Sequence, residues 1–162
     1  MAIAVDNAKI VVGAVSTLEL GGSDLGATTE NGVTLKSDQT YQEFYVDQQA
    51  TPVKNVLMAR RYTIDTELAH SSLANIHAAL NLATSALVTS SLTLNGSEAA
   101  LKTLKIVVPT TGVGNRTMIF DSVRVTSNFQ VTMKKKDMAV LPMTFEALYD
   151  STASRNGIMG DA

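Results

Sequence analysis

From Arg61 to Leu68 the chain alternates without a break. Tyr62, Ile64, Thr66 and Leu68 fall on one side, and Arg61, Thr63, Asp65 and Glu67 on the other. A period of two belongs to extended backbone, where successive Cβ atoms point to opposite faces of a sheet. One side is largely apolar and the other polar, so this strand expects a core on one face and water on the other, as in antiparallel sheets. Upstream, residues 40–47 (Thr-Tyr-Gln-Glu-Phe-Tyr-Val-Asp) are dominated by aromatic and β-branched side chains, which suit a pleated surface. Pro52 lies between this stretch and residues 53–68, so the two are read as neighbouring strands joined by a turn.

The rest of the chain adds more strands and one helix. Asn31-Gly32 directly precedes Val33-Thr34-Leu35-Lys36, and Asn95-Gly96 follows Ser91-Leu92-Thr93-Leu94. Both dipeptides are hairpin signals, because a tight turn needs positive φ at its centre. Residues 21–26 (Gly-Gly-Ser-Asp-Leu-Gly) read as a loop. Further strands are expected at 104–108, ending near Pro109, at 116–125 with an interruption at Asp121, at 128–133, and at 138–149. Lys134-Lys135-Lys136-Asp137 is the expected hairpin between the last two. The helix is placed at about 72–82, capped by Ser71 or Ser72, with Leu73, Ile76 and Leu80 as the stripe laid on a sheet. Residues 1–9 are read as an N-terminal arm and 151–162 as a loose tail. The fold class that follows is mainly β: one domain, an antiparallel β-sandwich or partly closed barrel with one flanking α-helix.

Composition matters for what it excludes. With 162 residues the chain suffices for one domain with a sizeable core. There is no Cys, which removes disulfide and thiolate chemistry, and a formal charge of -2 gives no global attraction to nucleic acid or anionic lipid. Charged residues make up only 17%, a low share that suits a surface partly covered by neighbours. The longest apolar runs are far too short to span a membrane, and the first residues do not read as a secretory signal.

Catalytic signatures are missing as well. Ser71 and Ser72 beside His70 read as helix-cap residues, and no Gly-x-Ser-x-Gly elbow is present. His70 and His77 are read as a helix-start residue and a helix-surface or flank residue, not as a metal pair. Asp65 and Glu67 share the polar side of one strand, an arrangement that more often meets solvent than a cation. The glycine loops at 21–26 and 112–114 match no phosphate-cradling pattern. No enzyme activity, cofactor or metal is expected.

Three segments in order carry a resemblance. Asn31-Gly32-Val33-Thr34-Leu35, then residues 41–48 (Tyr-Gln-Glu-Phe-Tyr-Val-Asp-Gln), then Ala50-Thr51-Pro52-Val53-Lys54 are similar to the G-G-V … V-D-Q … T/G-P-V-K progression of phage tail proteins. The strand to Leu68 and the short helix continue it. The chain resembles the major tail tube proteins of long-tailed (siphovirus-like) bacteriophages, over roughly residues 10–150 in element order and most sharply over 31–82.

The resemblance implies a tube subunit. Six copies join their inner sheets into a ring around a channel, rings stack into a tube, and the genome passes through the lumen without specific binding. Expected partners are further copies of the chain, a tape-measure protein, a tail terminator and distal tail proteins, in a virion assembled in the host cytoplasm with no membrane contact. Carried over by position, the ring-forming sheet holds Tyr41, Glu43, Asp47, Lys54, Arg60, Arg61, Asp65 and Glu67, and the hairpin Lys134 and Lys135 is a further contact. The acidic members suit a lumen that repels DNA. The arm 1–9, the loop 21–31 and the tail 151–162 are the expected ring-to-ring contacts. A terminator or completion protein, and the inner tube of a contractile tail or secretion system, share these expectations. A small β-rich binding or adhesion domain is the reading from another class.

Overall fold

A computed structural model describes residues 15–47, 51–69, 72–83, 87–88, 91–94, 98–110, 114–127 and 140–161. Eight strands form one antiparallel sheet: β1 (Thr17–Leu20), β2 (Ser23–Asp24), β3 (Thr28–Phe44), β4 (Lys54–Leu68), β7 (Lys102–Pro109), β8 (Asn115–Val125), β9 (Leu141–Leu148) and β10 (Ile158–Asp161). The order across it is β2-β1-β7-β8-β9-β4-β3, with β10 also paired to β8. Helix α1 (Leu73–Ala79) follows β4, and β5 (Leu87–Val88) with β6 (Ser91–Leu92) makes a separate two-stranded piece.

Connectivity forces this sheet to curl. Six strand spacings laid flat would separate β2 from β3 by about 29 Å. The link between them is only Leu25, Gly26 and Ala27, and four Cα steps span at most about 14 Å. The link is also tied at both ends: Leu25 N–H donates to Leu18 at 2.8 Å, and Ala69 N–H donates to Ala27 at 2.9 Å. The two edges of the sheet are therefore brought within about 14 Å of each other at this end without pairing among the described residues, and the concave face becomes the interior. Leu18, Ile64, Leu68, Leu104, Ile106, Leu141, Met143 and Phe145 are almost wholly buried there.

Alternation is realised as expected along β4, where Ile64, Thr66 and Leu68 are buried and Tyr62 packs against the core. Along β9 it runs Leu141, Met143, Phe145, Ala147. The Gly21-Gly22 pair closes the β1–β2 hairpin with φ of 60° and 79°, the two positive values that an I′ turn requires. The interruption expected at Asp121 is a bulge. Between Phe120 and Val123 the strand advances three residues while β7 advances two, from Leu104 to Lys102.

Four expectations change. Asn31-Gly32 does not turn the chain back: Gly32 (φ 63°) sits inside β3, which advances five residues from Thr28 to Val33 while β4 advances two, from Leu68 to Thr66. A left-handed glycine serves a bulge as well as a turn, and here Thr66 Oγ1 donates to the Gly32 carbonyl at 3.1 Å. As a result 33–36 and 41–44 belong to one 17-residue strand.

The tail 151–162 is not loose over its described part. Asp150 anchors a turn by accepting from Thr152 and Ala153 N–H at 2.7 and 2.9 Å, and Ser122 donates to its other oxygen at 2.9 Å. The chain then pairs with β8 from Ile158 to Asp161.

The helix is shorter than expected. Ser72 Oγ caps it by accepting from Asn75 N–H, while Asn81, at φ 51°, ends it. Asn81 N–H donates to Ala78 and Leu82 N–H to His77, the double closure of a Schellman motif. Its buried face also differs: Asn75, His77 and Ala79 are buried, Ile76 packs at the core's margin, Leu80 is half-buried and Leu73 is exposed. The cause is polar anchoring. Asn75 Nδ2 donates to the Leu25 carbonyl at 2.8 Å and His77 Nε2 lies 2.9 Å from the Ala83 carbonyl, so His77 is an interior residue. The arm 1–9, His70, Ser71, the Asn95-Gly96 turn, the strand 128–133 and the hairpin with Lys134 and Lys135 lie outside the described residues.

Candidate assembly surface

Strands β3 and β4 are far longer than their neighbours. β9 pairs with β4 only from Tyr62 to Leu68 and stops at Leu148, where the Asp150 turn takes the chain away. When the chain returns as β10 it pairs with β8, not with β4. Beyond Ser37 and Tyr62, β3 and β4 therefore continue as a two-stranded arm about eight residues long, or roughly 26 Å. Its residues are exposed on both faces, with Val56 half-buried.

An isolated two-stranded ribbon is marginal in water, and this one is not dressed for water. Tyr41, Phe44, Tyr45, Val46, Val53, Leu57 and Met58 are each 40–63% exposed. A bulge at Met58, where Thr40–Tyr41 opposes Ala59 and Leu57, adds one residue to β4. By register, Ser37, Gln39, Tyr41 and Glu43 continue the core-side face of β3. Tyr41 Oη donates to Gln39 Oε1 at 2.6 Å along that row, and Tyr45 Oη donates to Glu43. That hydrogen bond from Tyr45 to the Glu43 carboxylate pushes the phenol's pKa up.

The sequence-selected residues separate into two groups. Tyr41, Glu43, Lys54 and Arg60 lie on the arm, with Asp47 just past the end of β3. Arg60 Nη1 reaches Tyr62 Oη at 3.4 Å. Arg61, Asp65 and Glu67 lie on the opposite, convex face, and each already has a partner within the chain. Arg61 pairs with Glu146 at 2.8 Å, Asp65 with Lys36 and with Thr144 Oγ1 at 2.9 Å, and Glu67 accepts from Asn31 at 2.7 Å and Thr29 at 3.2 Å. The hydrogen bond from Lys36 is the main reason the Asp65 carboxyl sits below its ordinary pKa. Glu43 and Asp65 thus face opposite ways and do not share one acidic surface. Among the described residues no three His, Asp or Glu side chains converge as a metal site.

Where the arm leaves the body, a cleft of about 380 Å³ opens between it and β8–β10, lined by Leu35, Tyr62, Met118, Phe120, Ile158 and Met159 among others. Sequence reasoning missed this cleft and the exposure of Phe44, Leu57 and Met58. One signal was available: the strand expected over 53–68 is longer than any other expected strand and cannot be covered along its whole length. The C-terminal segment that builds one wall is fastened by two forked ion pairs, Arg155 with Asp121 (2.7 and 3.2 Å) and Arg116 with Asp161 (2.6 and 3.0 Å). The chain matches no protein-family model, and no curated protein matches it either.

Proposed function

We propose that this chain is a structural subunit that assembles with copies of itself, and that it serves as the tail tube protein of a long-tailed phage. The observation that carries the reading is the arm: two long strands with both faces in water and seven large apolar side chains along them. Fully burying such a side chain is worth about 1.5–3 kcal/mol, so covering the exposed half of each yields roughly 1 kcal/mol apiece. The set offers several kcal/mol, comparable with the lower end of the roughly 4–15 kcal/mol that association costs. One such contact holds weakly, and contacts repeated around a ring or along a stack hold well.

A curled antiparallel sheet with one helix supports this reading, in which it is taken as a partly closed barrel with α1 at its side. In that reading hexameric rings stack into a channel for the genome, built with a tape-measure protein, a terminator and distal tail proteins in the host cytoplasm. Open sheet edges favour the same class, since exposed edges are normally blunted, covered or paired.

The test is negative-stain electron microscopy of the purified protein together with its mass in solution. Rings or hollow tubes of uniform width are expected. The double variant Leu57→Asp, Met58→Asp should keep the wild-type melting temperature and lose the assemblies. Wild-type protein that stays monomeric at every concentration, or a variant that assembles as well as the wild type, refutes the reading.

A further inference from the structure

The cleft beside the arm's root lies in a fork of the sheet. β8 continues with β10 on one bank, β4 continues with β3 on the other, and β9 has already ended between them. The outer edge of β10 and the Lys54–Arg61 edge of β4 have no strand partner among the described residues. Between these banks the lining is mainly apolar, and its sole charged side chain is Arg155. An apolar trough flanked by free strand edges suits an extended apolar segment, with backbone read by the edges and side chains by the floor. Its 380 Å³ compares with a cavity of about 150 Å³ that holds one benzene. Two aromatic rings fit.

The chain carries such a segment. Phe44, Tyr45 and Val46 stand at the arm's tip, all about half exposed, with the carboxylates of Glu43 and Asp47 on either side. Arg155 in the trough uses Nε and Nη2 on Asp121, has Asp150 nearby as well, and has Nη1 outside that fork. The arm cannot fill its own fork. It is itself one bank, and its tip lies roughly 26 Å from the root.

We propose that the Phe44–Tyr45–Val46 tip of one copy seats in the fork between β4 and β10 of a second copy. The proposal rests on the self-assembly reading above and adds to it the surface that receives the arm. Donor and acceptor are different surfaces of one chain, so the contact is heterologous and propagates as a ring or an open polymer.

The natural absence of cysteine allows a clean test. Tyr45→Cys and Met159→Cys proteins, both altered at half-exposed sites, are purified separately, mixed, and treated with a short bis-maleimide. A covalent dimer is expected in the mixture and in neither protein alone, and adding Phe44→Asp to the first should abolish it. A Met159→Glu protein should melt with the wild type and need at least tenfold more protein to assemble. Assemblies without the mixed crosslink, or tip-to-tip dimers of the Tyr45→Cys protein alone, overturn the fork as receptor and leave self-assembly standing. Monomers throughout, with no crosslink, overturn both.

Discussion

Gly157 is where the C-terminal segment comes closest to the body. A Cβ placed there would lie 2.6 Å from the Ile119 carbonyl oxygen, 2.9 Å from Phe120 Cδ1 and 3.2 Å from Phe120 Cα. Two of these are β8 backbone atoms that cannot swing aside, so Gly157→Ala must push the incoming strand back by roughly 0.7 Å or more before the contact becomes ordinary. That movement stretches neighbouring ladder bonds of about 2.9 Å to the limit of hydrogen-bond geometry. Bearing the overlap costs about 1–3 kcal/mol. Releasing β10 gives up four register pairs, worth about 2–4 kcal/mol at roughly 0.5–1 kcal/mol per bond. Either route costs about 2 kcal/mol.

Global strain appears as a melting temperature lower by about 4–8 °C. Local release appears as amide exchange at 158–161 faster by about thirtyfold. Gly160→Ala is the matched control on the same strand, because a Cβ there meets nothing within 4 Å; it should be neutral or slightly stabilising. Calorimetry and hydrogen exchange read both variants. A Gly157→Ala protein with unchanged melting and unchanged protection at 158–161 would refute the close docking of β10 on β8.

Phe145→Ala removes a fully buried ring from the middle of the core and should cost about 3–5 kcal/mol in denaturant unfolding. His77→Ala should cost about 1–3 kcal/mol, because it leaves the buried end of α1 without the group that meets the Ala83 carbonyl; an unchanged midpoint would put His77 at the surface. Four carboxyls have pKa values below the ordinary range. The causes are Lys36 for Asp65, Arg155 for Asp121, the Ala153 and Thr152 N–H groups with Ser122 for Asp150, and Arg116 for Asp161. A depressed folded pKa gives stability that is complete above the unfolded value near about 4 and is lost as pH falls through the folded values. The melting temperature should therefore fall steeply below about pH 4, and less steeply in Asp150→Asn. Equal slopes for the two proteins would remove Asp150 from the account.

Local chemistry was legible in the residues. The alternation of 61–68 placed Ile64 and Leu68 on the buried side, a strand was expected over 138–149, and Ser71 or Ser72 marked the start of the helix, which the structure resolves to Ser72. Short-range periodicity records which face of a strand is apolar, and that is decided by the residue itself. Meaning that depends on context was not legible. Asn31-Gly32 supplies positive φ to a turn or to a bulge with equal ease, and only pairing with Leu68 and Thr66 chose the bulge. His77 looks like a surface residue until the Ala83 carbonyl is folded onto it, and Asn81 ends the helix four residues after it. The tail looked unstructured because the partners of Arg155 and Asp161, which are Asp121 and Arg116, lie 34 and 45 residues away.

The sequence by itself therefore determined a mainly β chain and its buried strand faces, since those follow from residue type and a period of two. The tertiary structure alone decided that β9 pairs with β4 only from Tyr62 to Leu68, that β10 takes the place beside β8, and that the other described residues leave an apolar arm and a fork uncovered. The alternation of each strand is written in the chain, but how far a strand runs and which strand lies beside it are set by long-range pairing. An exposed face is one that none of the other described residues reaches.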